Sequence, residues 1–533
     1  MLKPLQYLSF KEAGIGSALF HRYVADDFPN TDWIEGHPNS INVELKAQHR
    51  SAQFPAERRK ILVNSLRQQY ESSGVKDEAV EHNLLRLQDS NTLTVTTGHQ
   101  LGFAGGPLFL LYKIASVIKL AESLEQKHPQ LQVVPIFWMN SDDHDLAEIN
   151  TFFWQDAAWT LPISNENHPV GQYLCPEMPD FWASLHSVLP SGMAWEEAFL
   201  QLKTAYAPGV PLGLALRRLI AQWTKGTGLI CLDQQDSTLK REAWTGLLPH
   251  LNSTPWFDAL IETTNKQESA GFSPQVKPMP SLFFYHSSLG RERIERLGSS
   301  FQSVQSNTSW NFEELAHEMQ NHPDRFSTNV SGRAMYQEFI LPNLAYLGGA
   351  AEIRYWMQFK QMLSSVELPF PMLVPRESFL VFGQRELRYL RGFNAHPIDA
   401  LKPKQSFIQH WVRTTLDEFP EMPWTAELNS IAVHWAEVFG AADPGLKPAV
   451  LARFSKLSTD LEKLNTKRLK ALKQREQTQL QRMDAVFNWT QPKGIFQERI
   501  LHPWCLGPDV RASFNAILSI SNPLSQQVVA VQM

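Results

Sequence analysis

The chain has 533 residues, 43% of them hydrophobic and 19% charged, and a formal net charge of −5. That composition leaves room for several core-sized units and excludes an intrinsically disordered chain. It lacks the basic bias that marks nucleic-acid binding. Cys175, Cys231 and Cys505 lie far apart with no Cys-x-x-Cys, which supports neither a zinc cluster nor a disulfide framework and fits a reducing compartment. The N-terminus lacks the apolar core and cleavage site of a signal peptide. Lys113 and Lys119 interrupt the most apolar run. The expectation is a cytoplasmic protein with neither nucleic-acid nor membrane partners.

In chain order, residues 1–54 are turn-rich and read as irregular. Residues 55–89 carry helical periodicity, split into two helices by Ser72-Ser-Gly74. The stretch 92–150 organises the rest. Its first run is short, β-branched and stopped at Gly98, which predicts a strand. His99, Gln100 and a loop with Gly102, Gly105 and Gly106 follow, then Pro107, suited to a first helical turn, and an apolar helix over 108–120. A second strand, 133–139, ends in Asn140-Ser-Asp142-Asp143-His144-Asp145. Strand, glycine loop, helix and strand make a βαβ unit. Both polar clusters then fall after the carboxyl ends of parallel strands, where open α/β sheets bind ligands.

Residues 151–225 and 265–310 read as inserted connecting segments, the second strand-rich. Between them, 226–232 is a buried strand that stops at Asp233. Residues 326–333 read as a polar loop entering a helix over 334–346, ended by Gly348-Gly349. A last strand at 369–375 closes an α/β domain, 1–375. Residues 376–533 form a helical domain. Val450, Phe454, Leu457, Leu461 and Leu464 alternate four and three apart, a heptad seam on a helix reaching about Phe487. It loses phase at Leu469 and Leu472. A helix over 424–439 and a second subunit would cover the seam, so a homodimer is expected. The tail from Gln497 should fold back on the body.

Three groups carry candidate chemistry. Gly98 to Gly106 is neither a P-loop nor a dinucleotide fingerprint. Its glycines suit either an anion at a helix N-terminus or tight turns and close packing. His99 and Gln100 add bulky polar groups where a ligand would sit. Gly98, Gln100, Gly105 and Gly106 are therefore candidate nucleotide or substrate contacts, with His99 a catalytic candidate. Asp142, Asp143 and Asp145 carry oxygens that suit Mg²⁺, but Asp145 also stands where it would cap a helix with Glu148. Asp143 and His144 are candidate partners or general bases for an amine. No metal ligand is assigned. Asn329, Arg333, Gln337 and Glu352 form the third group. Arg333 and Gln337 share a helix face, and an Arg there can grip a phosphate or carboxylate with two parallel bonds. A surface ion pair with Glu338 is the alternative.

These residues resemble the BshC family. The match runs through Thr97-Gly-His-Gln100, Gly105-Gly-Pro-Leu108, Tyr112-Lys113, Pro135-Ile-Phe-Trp138, Asp143-His-Asp145 and Glu148-Ile-Asn150. It continues through Phe326-Ser-Thr-Asn-Val330, Arg333, Gln337-Glu-Phe339, Gly348-Gly349, Glu352-Ile353, Tyr355-Trp356 and Gln497-Glu-Arg-Ile500. The resemblance implies a Rossmann-like core with inserted segments, a coiled-coil dimerisation domain, and a ligase completing bacillithiol by adding cysteine to glucosaminyl malate. That chemistry calls for ATP or another nucleotide to activate the carboxylate; the resemblance specifies no metal. His99 stands where the family more often has Gln, and Ala334, Ala350 and Ala351 replace a Pro, a Pro and a Gly. The alternatives from other classes are a metal-dependent nucleotidyl or phosphoryl transferase using Asp142, Asp143 and Asp145, and a non-catalytic coiled-coil scaffold.

Overall fold

The structure is a computed structural model that describes residues 2–28, 32–164, 168–251, 254–415 and 424–533. Its strands are β1 (Lys3–Leu8), β2 (Thr92–Gln100), β3 (Gln132–Asn140), β4 (Thr151–Trp154), β5 (Ala157–Thr160), β6 (Ile230–Asp233), β7 (Phe283–Ser287), β8 (Gly290–Leu297), β9 (Ser300–Ser303), β10 (Ser309–Trp310), β11 (Phe326–Thr328), β12 (Asn343–Gly348), β13 (Met372–Pro375), β14 (Ser378–Phe382) and β15 (Val528–Gln532). The central sheet runs β13-β12-β2-β3-β6, with every neighbouring pair parallel. Its strands are buried on both faces, as all-parallel sheets require. The Leu108–Lys127 helix joins β2 to β3 and is buried around most of its circumference.

Strand order reverses at β2. From there the chain steps to β3 and β6 on one side, while β12 and β13 lie on the other. This reversal opens a crevice beyond the carboxyl ends of β2 and β12. Gly98 pairs with Trp138 and Met139 with Asp233, so the ends of β2, β3 and β6 lie side by side.

The expected helix over 334–346 is corrected. The helix is Val330–Ile340, and β12 follows it as the strand between β2 and β13. Leu341 precedes Pro342 and is extended (φ −111°, ψ 139°), the conformation a following proline favours. β12 is buried at every position, so its sequence has no two-residue alternation to reveal it. Residues 326–328, expected as loop, are β11, which extends the antiparallel sheet β10-β9-β8-β7-β11 made by the second insertion. The first insertion carries the β4–β5 hairpin and the helices Pro179–Ser187, Met193–Ala205 and Leu212–Trp223. The described residues before 55 also hold more regular structure than expected. β1 pairs antiparallel with β15, and the helices Ala18–Val24 and Val43–Gln53 follow.

The chain divides into two units, 1–380 with 497–533, and 381–496. The expected second domain, 376–533, thus loses its tail to the first unit, because β15 pairs with β1. In the second unit Phe393, Phe407, Ile408, Trp411, Val412, Met483 and Phe487 form a core. The Trp424–Ala442 helix packs on the Leu446–Arg475 helix, and a turn at Glu476 separates the latter from Gln477–Thr490. The seam holds in part. Val450, Phe454 and Leu461 are half-buried, whereas Leu457 and Leu464 are 44% and 59% exposed, because the inward row passes through Ser458 and Asn465 instead. The side chains of Leu469 and Leu472 lie outside the described residues. Among the described residues, no helix is long and apolar enough to cross a membrane.

Candidate active site

A cleft of about 560 Å³ lies over the crevice between β2 and β12. Gly98, His99 and Gln100 from β2, Asn140, Asp142 and Asp143 after β3, Asn329 and Arg333 around one helix start, and Glu352 at another all line it. The parallel strands β2, β3 and β12 present their carboxyl ends together, while Asn329 and Arg333 arrive from the end of antiparallel β11.

Arg333 lies across β2. A Cβ on Gly98 would sit 2.2 Å from its Nη2, so only glycine lets the guanidinium rest there. Its Nε donates to Asn140 Oδ1 (3.0 Å), and the rings of Trp138 and Tyr346 lie 5.9 and 5.8 Å from its Cζ. Nη1 is buried and makes no hydrogen bond. An unpaired buried donor of this kind is costly and calls for an acceptor. The alternative surface pair with Glu338 does not form, since Glu338 is buried and accepts from Gln337 and Asn343.

Two helix N-termini border the same space. Val330–Ile340 begins at Asn329, whose side chain accepts from Gly332 N–H, and Ala350–Ser365 begins at Gly349. Their first N–H groups favour an anion. Glu352 accepts from Gly349 N–H (2.7 Å), Tyr346 Oη (3.0 Å) and the buried Lys113 Nζ (2.7 Å), which also donates to Gly98 O (2.8 Å). Burial alone would raise the Glu352 carboxyl, but Lys113 and Gly349 hold it below the usual carboxylate range. Glu352 is therefore engaged by protein groups. Arg376 is likewise committed, bidentate to Glu498 at 3.0 and 2.5 Å.

His99 packs edge-on to Phe109 at 4.8 Å. Desolvation, reinforced by Lys113 and Arg376 against Glu352, lowers its pKa to about 3. The ring is neutral near pH 7 and a weak base.

The acidic turn separates its members. Asp142 is buried, with Oδ2 3.3 Å from the fully buried Lys240 Nζ and Oδ1 accepting from Gln234. Asp145 caps the short helix Leu146–Ile149 by accepting from Glu148 N–H. The three-aspartate arrangement of the metal-dependent alternative is thus absent, and among the described residues no three His, Cys, Asp or Glu side chains converge as a metal site. Asp143 keeps its carboxylate at the cleft, its Oδ1 accepting from His144 N–H (2.8 Å).

Four expected contacts lie elsewhere. Gly105 serves packing, since a Cβ there would meet the Trp223 ring at 2.2 Å, and neither it nor Gly106 lines the cleft. Gln337 is fully buried, donating to Glu338 (2.9 Å). His144 sits outside the main cleft, in a shallow depression with Asp145 and Asn150.

Lys113, Arg291, Tyr355 and Arg499 line the cleft without having been singled out. Arg291 comes from β8 of the second insertion. It stacks 3.9 Å over Phe284, donates to Ser327 Oγ (2.9 Å) and Thr328 O (2.7 Å), and reaches within 3.4 Å of His144 Nδ1. No local pattern marks it; the motifs Tyr112-Lys113, Tyr355-Trp356 and Gln497-Glu-Arg-Ile500 were the available signals for the other three. With Lys113, Arg376 and Asp142 paired internally, Arg291, Arg333 and Arg499 line the cleft together with the carboxylates of Asp143 and Glu148.

Residues 4–377 match the family model described as bacillithiol biosynthesis BshC, N-terminal Rossmann-like domain, and residues 390–526 match the BshC C-terminal coiled-coil domain. A protein of Flavobacterium johnsoniae is 30% identical over 498 residues, covering 93% of either chain. One of Cytophaga hutchinsonii is 30% identical over 486 residues, covering 91% of this chain and 90% of its own. One of Bacillus mycoides is 24% identical over 78% of this chain and 80% of its own. Each is named "Putative cysteine ligase BshC".

Proposed function

Since this chain belongs to the BshC family of bacillithiol biosynthesis, we propose that the cleft joins the carboxylate of cysteine to the amine of glucosaminyl malate, forming the amide of bacillithiol. The observation that carries this reading is the free Nη1 of Arg333, buried between two helix N-termini and beside the Asp143 turn. That pairing suits a substrate with anionic groups at one end and an amine at the other. Arg333 and the N–H groups after Asn329 and Gly349 hold phosphate or the malate carboxylates. Asp143 orients the ammonium and accepts its proton. His99, neutral and a weak base, positions a reacting group by hydrogen bonding, a task the amide of a Gln also performs.

The donor set fits a nucleotide phosphate: Gly98 leaves room for the Arg333 guanidinium, and the helix starts supply N–H groups. ATP or a related nucleotide would supply activation of the cysteine carboxylate. The chain's own cysteines are unsuited to nucleophilic work. Burial pushes the Cys175 thiol up to about 12 and the Cys231 thiol to about 11, and raises Cys505 as well.

The helical unit exposes Trp435, Phe439, Leu446, Leu457 and Leu464, an apolar face that supports the reading of a homodimer. The deciding experiment incubates purified protein with cysteine, glucosaminyl malate and ATP and analyses products by mass spectrometry. Release of AMP points to an acyl-adenylate and release of ADP to an acyl-phosphate. Failure to form a cysteine-containing amide removes the reading.

A further inference from the structure

Lys240 lies on the Ser237–Leu247 helix, outside every motif named above, and its side chain has no exposed surface. It cannot touch a substrate. Its ammonium faces Asp142 Oδ2 (3.3 Å) and donates to Gln235 Oε1 (2.6 Å) and Phe326 O (2.8 Å). These partners belong to different walls of the cleft. Asp142 belongs to the turn that presents Asp143. Phe326 begins β11, whose Ser327 and Thr328 hold Arg291, and which runs through Asn329 into the helix of Arg333.

We infer that Lys240 is a positioning residue, a buried tie that holds the Asp143 turn at a set distance from the wall carrying Arg291 and Arg333. Desolvating an ammonium and a carboxylate is expensive, and an apolar pair of similar volume commonly stabilises a fold as well or better. A buried pair at this point is therefore better explained by geometry than by stability. The surroundings agree. Gln234 receives the Trp138 indole N–H, donates to Asp142, and offers its carbonyl to Tyr336 Oη (3.0 Å) on the Arg333 helix. On the other side, Val170 N–H and Gly171 N–H donate to Asp143 O and Ser141 O, each at 2.8 Å. A Cβ on Gly171 would lie 2.6 Å from Ser141 Cβ, so that approach needs glycine. The turn is gripped from both sides, and the Lys240 tie to Phe326 O joins the cleft walls beside the Gln234–Tyr336 and Arg333–Asn140 bonds.

The kinetic part of the test rests on the ligase reading; the structural part does not. Lys240→Met leaves the Asp142 carboxylate buried and unpaired, and both melting temperature and kcat should fall. Lys240→Met with Asp142→Asn removes that charge, so melting temperature should return most of the way. The Lys240 tie between the walls remains broken, so kcat should stay roughly tenfold to a hundredfold below wild type, the cost of misplacing a reacting group by about 1 Å. KM should change less than about twofold, because the anion grip is intact. Hydrogen exchange should rise in the peptides spanning 141–146 and 326–329 of the double variant and nowhere else. Recovery of kcat together with melting temperature overturns the inference and leaves Lys240 a stabilising residue only. Unchanged exchange in both peptides overturns it as well. If the wild-type protein makes no amide, the ligase reading fails, and the exchange measurement still decides the role of Lys240.

Discussion

His99→Gln separates a hydrogen-bonding role from acid–base catalysis, and its effect on stability follows from the site. The folded pKa of His99 is about 3, against 6.5 for a free imidazole. A depressed folded value means that the stability is complete above pH 6.5 and is lost as pH falls towards 3, because the unfolded chain binds the proton and the folded one refuses it. At pH 5 the unfolded side chain is protonated and the folded one is not. A gap of about 1.5 units at 1.36 kcal/mol each costs about 2 kcal/mol, while at pH 7.5 the cost is near zero. Gln carries no such penalty. The difference in unfolding free energy between His99→Gln and wild type should therefore move by about 2 kcal/mol in favour of the variant between pH 7.5 and pH 5. Urea denaturation followed by tryptophan fluorescence at both pH values measures it. The difference matters because other groups also titrate. His286 at about 3 and His502 at about 4 act in the same direction as His99, whereas Glu338 and Glu377, raised by burial to about 7, gain stability as pH falls. They cancel in the comparison. The variant should also keep its amide-forming rate at pH 7.5 within a few-fold. Parallel pH dependence in the two proteins would show that His99 is not desolvated, and a loss of activity of several hundredfold would restore it as an acid–base group.

Arg333→Ala should raise KM for the anionic substrate at least tenfold, and Arg333→Lys should recover only part, because an ammonium keeps the charge but not the fork; wild-type kinetics in both variants would remove Arg333 from the site. Gly98→Ala should weaken the same binding, since the new Cβ lies 2.2 Å from Arg333 Nη2 and must displace it; an unchanged KM contradicts the assigned grip. Leu457→Asp with Leu464→Asp places charges on the exposed face of the helical unit. Burial of each leucine in a partner is worth roughly 1.5–3 kcal/mol, so sedimentation should show a wild-type dimer and a folded monomeric variant. A wild-type protein that is already monomeric at micromolar concentration refutes the dimer.

The central βαβ unit was legible because its signals are local. A β-branched run ends at Gly98, Pro107 precedes an apolar helix, and a second apolar run ends at Asn140. The same locality identified Asp145 as a cap and the break at Gly74 between two helices, where the glycine takes a left-handed conformation. β12 was missed because a strand buried on both faces looks, in one dimension, like a helix core, and only pairing with β2 and β13 settles which it is. Heptad spacing located the long helix but not its inward face, since an apolar side chain buries only where a neighbour exists to cover it, and Leu457 and Leu464 stay largely exposed among the described residues. The site divides along the same line. Composition and spacing made Gly98, His99, Asp143 and Arg333 candidates beside packing and ion-pair alternatives, and the resemblance to a family drew them into one group. Tertiary structure decided which partners they have: Arg333 lies over Gly98, Lys240 ties down Asp142, and Arg291 arrives from an insertion about 150 residues downstream of the turn it faces. Residue types and local backbone preferences are written along the chain, but desolvation and charge pairing depend on distances through space, which only the folded sheet sets.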